Sequence, residues 1–79
     1  MPHRDAADTT AALVAAQVQT YAPTWMVRWN RCRRRLEAWE CSDPVRCRIV
    51  DGRSGVELWN KMAQTDMELW ATQHRQGAA

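Results

Sequence analysis

The sequence contains no apolar stretch approaching the roughly 20 residues that cross a bilayer. Its opening residues, MPHRDAADTT, also lack the apolar run of a secretory leader. There is no Cys-x-x-Cys pair and no glycine-rich phosphate loop. The two histidines, His3 and His74, stand near opposite ends, and the carboxylates are scattered, with no pair that can be set across a cleft. Each shortage removes a class of function. No membrane-spanning helix is expected. A zinc centre lacks its usual close ligand pairs, because Cys32, Cys41 and Cys47 are widely spaced. A nucleotide has no backbone cradle for its phosphates, and the Asp51-Gly52-Arg53-Ser54-Gly55 stretch reads as a turn. A chain of 79 residues also rarely builds a pocket that excludes water. No catalysis, metal, cofactor or small-molecule substrate is therefore expected.

What is present is tryptophan and arginine. Five of the 79 residues are Trp, each able to bury about 150–250 Å². That matters in a chain too short to enclose a large core. With 46% hydrophobic and 25% charged residues, the composition is that of a single folded domain. The net charge is +2 and the isoelectric point near 8.7, short of the value above about 9 that marks nucleic-acid-binding domains. Three cysteines without a leader point to a reducing, cytoplasmic setting with free thiols; after export two of the three could pair.

Periodicity predicts a mainly α domain. Residues 1–8 read as a flexible tail and 76–79 as another, with one small helical domain over 9–75. A first helix is expected over 10–22, capped by Asp8, Thr9 or Thr10, with Val14, Val18 and Tyr21 on its inner edge beside Leu13 and Ala11. Pro23 breaks it at 22–24. The organising element is a second helix over 24–41, TWMVRWNRCRRRLEAWEC. There Trp25, Trp29, Cys32, Leu36 and Trp39 recur at steps of four and three, and so share a stripe about 80° wide. Ser42, Asp43 and Pro44 end it. Beyond them, Val45, Cys47 and Ile49 alternate with Arg46 and Arg48 as in a half-buried strand, which gives a short β-hairpin near 45–59 with Val56–Trp59 as partner. A last helix then runs to about residue 75.

A competing reading makes the chain an all-α three-helix bundle. Ser54 and Glu57 fit a capping box, and a helix from there to Arg75 sets Val56, Trp59, Ala63, Met67, Trp70 and His74 on one face. Leu58, Met62 and Leu69 widen that face, and Asp66 and Gln73 interrupt it.

The expected function follows from the second helix. Arg28, Arg31, Arg34 and Arg35 flank and back its Trp stripe, and no acid occurs between Arg28 and Leu36. Guanidinium groups in that density suit carboxylates on a protein or phosphates on a nucleic acid. Trp25, Trp29, Cys32, Leu36 and Trp39 then serve as core or as interface. The reading is a cytoplasmic, non-catalytic interaction protein (adaptor, inhibitor or complex subunit) that docks on an acidic protein partner or on its own copy. The alternative is a nucleic-acid-binding regulator with the same arginines on phosphates.

Overall fold

A computed structural model of the chain describes residues 2–42, 45 and 47–78, with side chains described over 6–42, 45 and 47–74. The order of elements is α1 (Pro2–Tyr21), β1 (Trp25–Asn30), β2 (Arg35–Glu40), β3 (Arg48–Gly52) and α2 (Gly55–Ala78). The strands form one antiparallel sheet in the order β1-β2-β3. Both helices pack on one face of it, α1 over β1 and α2 over β3 and β2. This is a mixed α/β domain. Neither the mainly α architecture nor the three-helix bundle expected from periodicity is what the chain adopts.

The expected helix over 24–41 is instead the β1–β2 hairpin. Its first half, Trp25-Met26-Val27-Arg28-Trp29-Asn30, alternates apolar and polar residues almost as well as it repeats at helical spacing. Trp25, Val27 and Trp29 face the helices, while Met26 and Arg28 face out. The turn at 31–34 carries no Gly or Pro to announce it. It closes because the Asn30 Oδ1 atom accepts the Arg33 amide at 3.1 Å and because Arg34 adopts a left-handed conformation, φ 56°, which non-glycine residues seldom take.

The register sorts the former stripe by face. Trp25 pairs with Glu40, Trp29 with Leu36 and Met26 with Trp39. Trp25 and Leu36 are buried beneath the helices with Trp29 packed beside them, Trp39 lies on the opposite face, and Cys32 sits exposed in the turn. A spacing of three keeps two residues on one side of a helix but puts them on opposite sides of a strand. Leu36 and Trp39 are the pair that this separates.

Of the expected hairpin near 45–59, only one strand exists. β3 begins at Arg48 and pairs with β2, while Val56–Trp59 belongs to α2. Val45 is exposed outside the strand, and Asp43, Pro44 and Arg46 lie outside the described residues. The helical alternative for 54–75 holds. The Ser54 hydroxyl accepts the Glu57 amide at 3.1 Å, and the Glu57 carboxylate reaches back to the Arg53 amide at 2.9 Å. These two bonds satisfy amides that the first turn leaves open. Thr65 lies inside α2 and donates to the Lys61 carbonyl.

α1 starts at Pro2, ahead of the expected caps at 8–10, and stops before Pro23 as expected. Its buried side is Ala15 and Val18, continued by Ala22 just past its end, whereas Leu13 and Tyr21 point to solvent. Small residues there let α1 lie close against β1. The core is completed by Ala38, Leu58 and Met62, with Val14, Val27, Trp29 and Val50 at its margin.

Side chains cover both open sheet edges. The Gln19 Nε2 group donates to the Trp25 carbonyl at 2.7 Å and its Oε1 accepts the Val27 amide at 2.9 Å, so α1 occupies backbone groups on the outer edge of β1. On β3, the Lys61 Nζ donates to the Asp51 carbonyl at 2.7 Å. Such blocking disfavours strand addition from another chain.

The expectation of three free thiols is also corrected. Cys41 and Cys47 are joined in a disulfide across the β2–β3 connection, with Cα atoms 4.4 Å apart, and Cys32 is free.

Candidate functional site

Among the described residues, no helix or strand covers the outer face of the sheet. Antiparallel pairing lines up three rows on that face: Met26, Trp39 and Ile49; Arg28, Glu37 and Asp51; Asn30 and Arg35. The first row is apolar and runs across all three strands, with Met26 and Ile49 well exposed and Trp39 half-buried. The Arg28 guanidinium lies over the Trp39 ring, 4.7 Å from its centroid, a cation–π contact. Pro23, Thr24 and Cys41 rim the groove beside this pair.

The second row explains how an acid becomes buried on an open face. Glu37 is 4% exposed because its neighbours cover it. Its carboxylate accepts bonds from the Arg28 Nε at 3.3 Å, the Arg33 Nη1 at 3.2 Å and the Asn30 amide nitrogen at 3.2 Å. Arg33 also reaches Asp51 at 3.8 Å. The arginines themselves stay mostly solvated, so each pair adds little stability. Their collective effect is to hold a cationic rim in a fixed shape.

A second anchor fixes the turn from α1. One Asp8 oxygen accepts the Trp29 Nε1–H at 3.1 Å and pairs with Arg34, and the other pairs with the Arg31 Nε at 3.3 Å. Arg34 also lies over the Trp29 ring. Burial pushes the Asp8 carboxyl up, but the hydrogen bonds from Trp29 and Arg34 and the charges of Arg34 and Arg31 outweigh it and leave the group below its usual value of 3.8. A carboxyl depressed in the fold stabilises it fully above that usual value and stops doing so as pH falls through the lower, folded value. Asp8→Asn is therefore expected to flatten the acid limb of stability. In urea melts, the gap between wild type and variant should close below about pH 4; a gap of constant size would show that the ion pairs do not act on the folded state.

The four expected binding arginines are thus split. Arg28 lies on the outer face of β1, Arg31 and Arg34 in the turn bound to Asp8, and Arg35 at the start of β2. They do not share one helix flank, yet they gather at one end of one sheet. Sequence reasoning missed Met26, Ile49, Glu37 and Asp8. The alternation over 25–30 and 48–52 was the signal for the first two, whereas nothing local marks Glu37 or Asp8. Of the other candidates, His74 stacks on Trp70 near the end of α2, and the His3 side chain is outside the described residues. No described helix is long and apolar enough to cross a membrane, and no cluster of three metal-ligating side chains occurs among the described residues. Comparison with protein-family models, curated proteins and solved structures gives no match to this chain.

Proposed function

We propose that this protein is a small non-catalytic interaction module that binds an acidic surface of a protein partner. The contact face is the outer side of the sheet together with the β1–β2 turn. One observation carries the reading: the uncovered Met26–Trp39–Ile49 row, with Arg28 lying over Trp39; the β1–β2 turn with Arg31, Arg33 and Arg34 closes the far end of the same hairpin. Tryptophan and arginine are the side chains that most often anchor interfaces, and a carboxylate is the natural counterpart of a guanidinium held in place.

The test is capture by the immobilised protein, compared with Trp39→Ser and Arg28→Gln variants. Both substitutions should abolish retention of the partner while the core, and hence cooperative unfolding, is kept. Retention by both variants would refute the assigned face.

The nucleic-acid reading rests on the same Trp39 ring, which could stack a base beside Arg28. It requires steep loss of affinity with salt. Absence of a mobility shift at low salt on single-stranded and duplex probes eliminates it.

A cytoplasmic location remains a proposal about the reduced protein. The Cys41–Cys47 bridge supports an oxidising compartment instead, because thiol buffers keep cytosolic cysteines reduced. Thiol titration of protein isolated without reductant should find one reactive thiol, Cys32, if the bridge persists, and three if it does not.

A further inference from the structure

α2 has two apolar faces, and the fold uses one. Leu58, Met62 and Thr65 are buried on the side facing the sheet, and half-buried Leu69 continues that side along the helix. About 120° around the helix, Val56, Trp59, Ala63, Met67 and Trp70 form a second, largely exposed stripe, with His74 stacked on Trp70 at its far end. Exposures are 73% at Val56, 43% at Trp59, 72% at Met67 and 60% at Trp70, with Tyr21 of α1 alongside at 77%. No residue of α2 beyond Thr65 is buried among those described, so its second half projects from the body of the domain.

The spacing of this stripe is symmetrical about Ala63. Trp59 and Met67 lie four residues to either side, and Val56 and Trp70 seven. Laid antiparallel on a second α2, Ala63 meets its own copy, each Trp59 meets a Met67, and each Trp70 meets a Val56. The smallest side chain falls at the crossing point, where two helix backbones approach most closely. Each Trp70 is also directed at the open groove between α1 and α2, about 400 Å³ and lined by Val18, Tyr21, Val56 and Trp59. This is the self-complementarity that a two-fold interface demands, in which residue i meets j and j meets i.

From that symmetry we infer that the protein forms a two-fold homodimer through antiparallel contact of α2 with α2 of a second copy. At their observed exposures Val56, Trp59, Met67, Trp70 and Tyr21 present on the order of 650 Å² per protomer, the low end of the size range centred on about 800 Å² a side for a standard interface. The rim agrees: Asn60, Gln64 and Gln73 flank the stripe, and Asp66 is already engaged by the Trp25 Nε1–H at 3.0 Å. The dimer leaves the outer sheet face free, since α2 packs on the opposite side, and it presents two such faces at once.

Sedimentation equilibrium tests this in a Cys32→Ser background, which removes the free exposed thiol. The protein should sediment at twice its 9.1 kDa chain mass. Ala63→Glu, which sets two carboxylates together on the two-fold axis, should weaken the dimer by on the order of a hundredfold or more. Trp70→Ala should weaken it by about thirtyfold. Both variants should keep the helical circular dichroism of the parent. Ala63→Cys should become crosslinked to its copy on mild oxidation. A monomer throughout the micromolar range, a dimer indifferent to Ala63→Glu, or a dimer in which Ala63→Cys does not crosslink would each overturn the assignment. Ala63 and Trp70 lie away from the outer sheet face and its turn, and Cys32→Ser is common to parent and variants, so loss of the dimer and loss of partner capture are read separately.

Discussion

Trp25→Ala is expected to cost about 3–5 kcal/mol, a large part of the roughly 4–12 kcal/mol that holds a domain of this size together. Trp25 is 3% exposed and opens β1 in the angle where α1, the sheet and α2 meet. Its ring fills space between helix and sheet, and its Nε1–H reaches Asp66 on α2. Truncation leaves a cavity and a carboxylate without its donor. Trp25→Phe keeps one aromatic ring in place but loses the hydrogen bond, worth about 1 kcal/mol, and part of the packing, so its cost should lie between that figure and the cost of Trp25→Ala. Trp39→Ala is the decisive comparison. On a helical stripe the two tryptophans would be equivalent, but on a hairpin Trp39 faces outward and its loss should cost about 1 kcal/mol or less. Urea unfolding followed by circular dichroism reads all three. Equal losses at Trp25 and Trp39 would contradict the register.

The second large effect is at the start of α2. Leu58 is fully buried, and Leu58→Ala should destabilise by about 2–5 kcal/mol. Its neighbour Trp59 lies on the other apolar face, so Trp59→Ala should change the stability of the monomer by only about 0.5 kcal/mol. The junction before Leu58 is equally tight. A Cβ on Gly52 would stand 2.8 Å from the Leu58 backbone nitrogen and 3.2 Å from its Cα. Backbone atoms cannot swing aside as a side chain can, so Gly52→Ala must push α2 off β3, at about 1–3 kcal/mol. If Gly52→Ala melts like wild type, the helix does not seat where the structure places it.

Some of this was readable from residues alone. Pro23 ends α1, the alternation over 45–50 marks a strand that forms over 48–52, and Ser54 with Glu57, in the competing reading, opens a helix, because each is a local signal: a missing amide, an alternation, a cap. The segment 24–41 misled because it satisfies two periods at once. Trp25 and Trp29 share a face on a helix and on a strand alike, and RRRLEAWE is rich in helix formers. Its turn also lacks the residues that usually mark one. Asn30 and a left-handed Arg34 do that work, and neither is predictable without the closed hairpin. The candidate site was half legible. Its arginines were found, while the carboxylates that order them were not, because Asp8 and Glu37 reach the cluster only through tertiary contact.

The sequence by itself determined the raw materials: aromatic mass concentrated in tryptophan, cations gathered between 28 and 35, and a two-faced apolar pattern along 56–70. These are properties of order along the chain, and they hold in any conformation. Tertiary structure alone decided which of them is core. Pairing β2 between β1 and β3 fixed the pleat, and the pleat sent Trp25 and Leu36 inward and Trp39 outward. Packing both helices on one side then left the other side of the sheet bare, along with one face of α2. Side-chain burial depends on what lies opposite, and that is a property of the closed fold rather than of spacing.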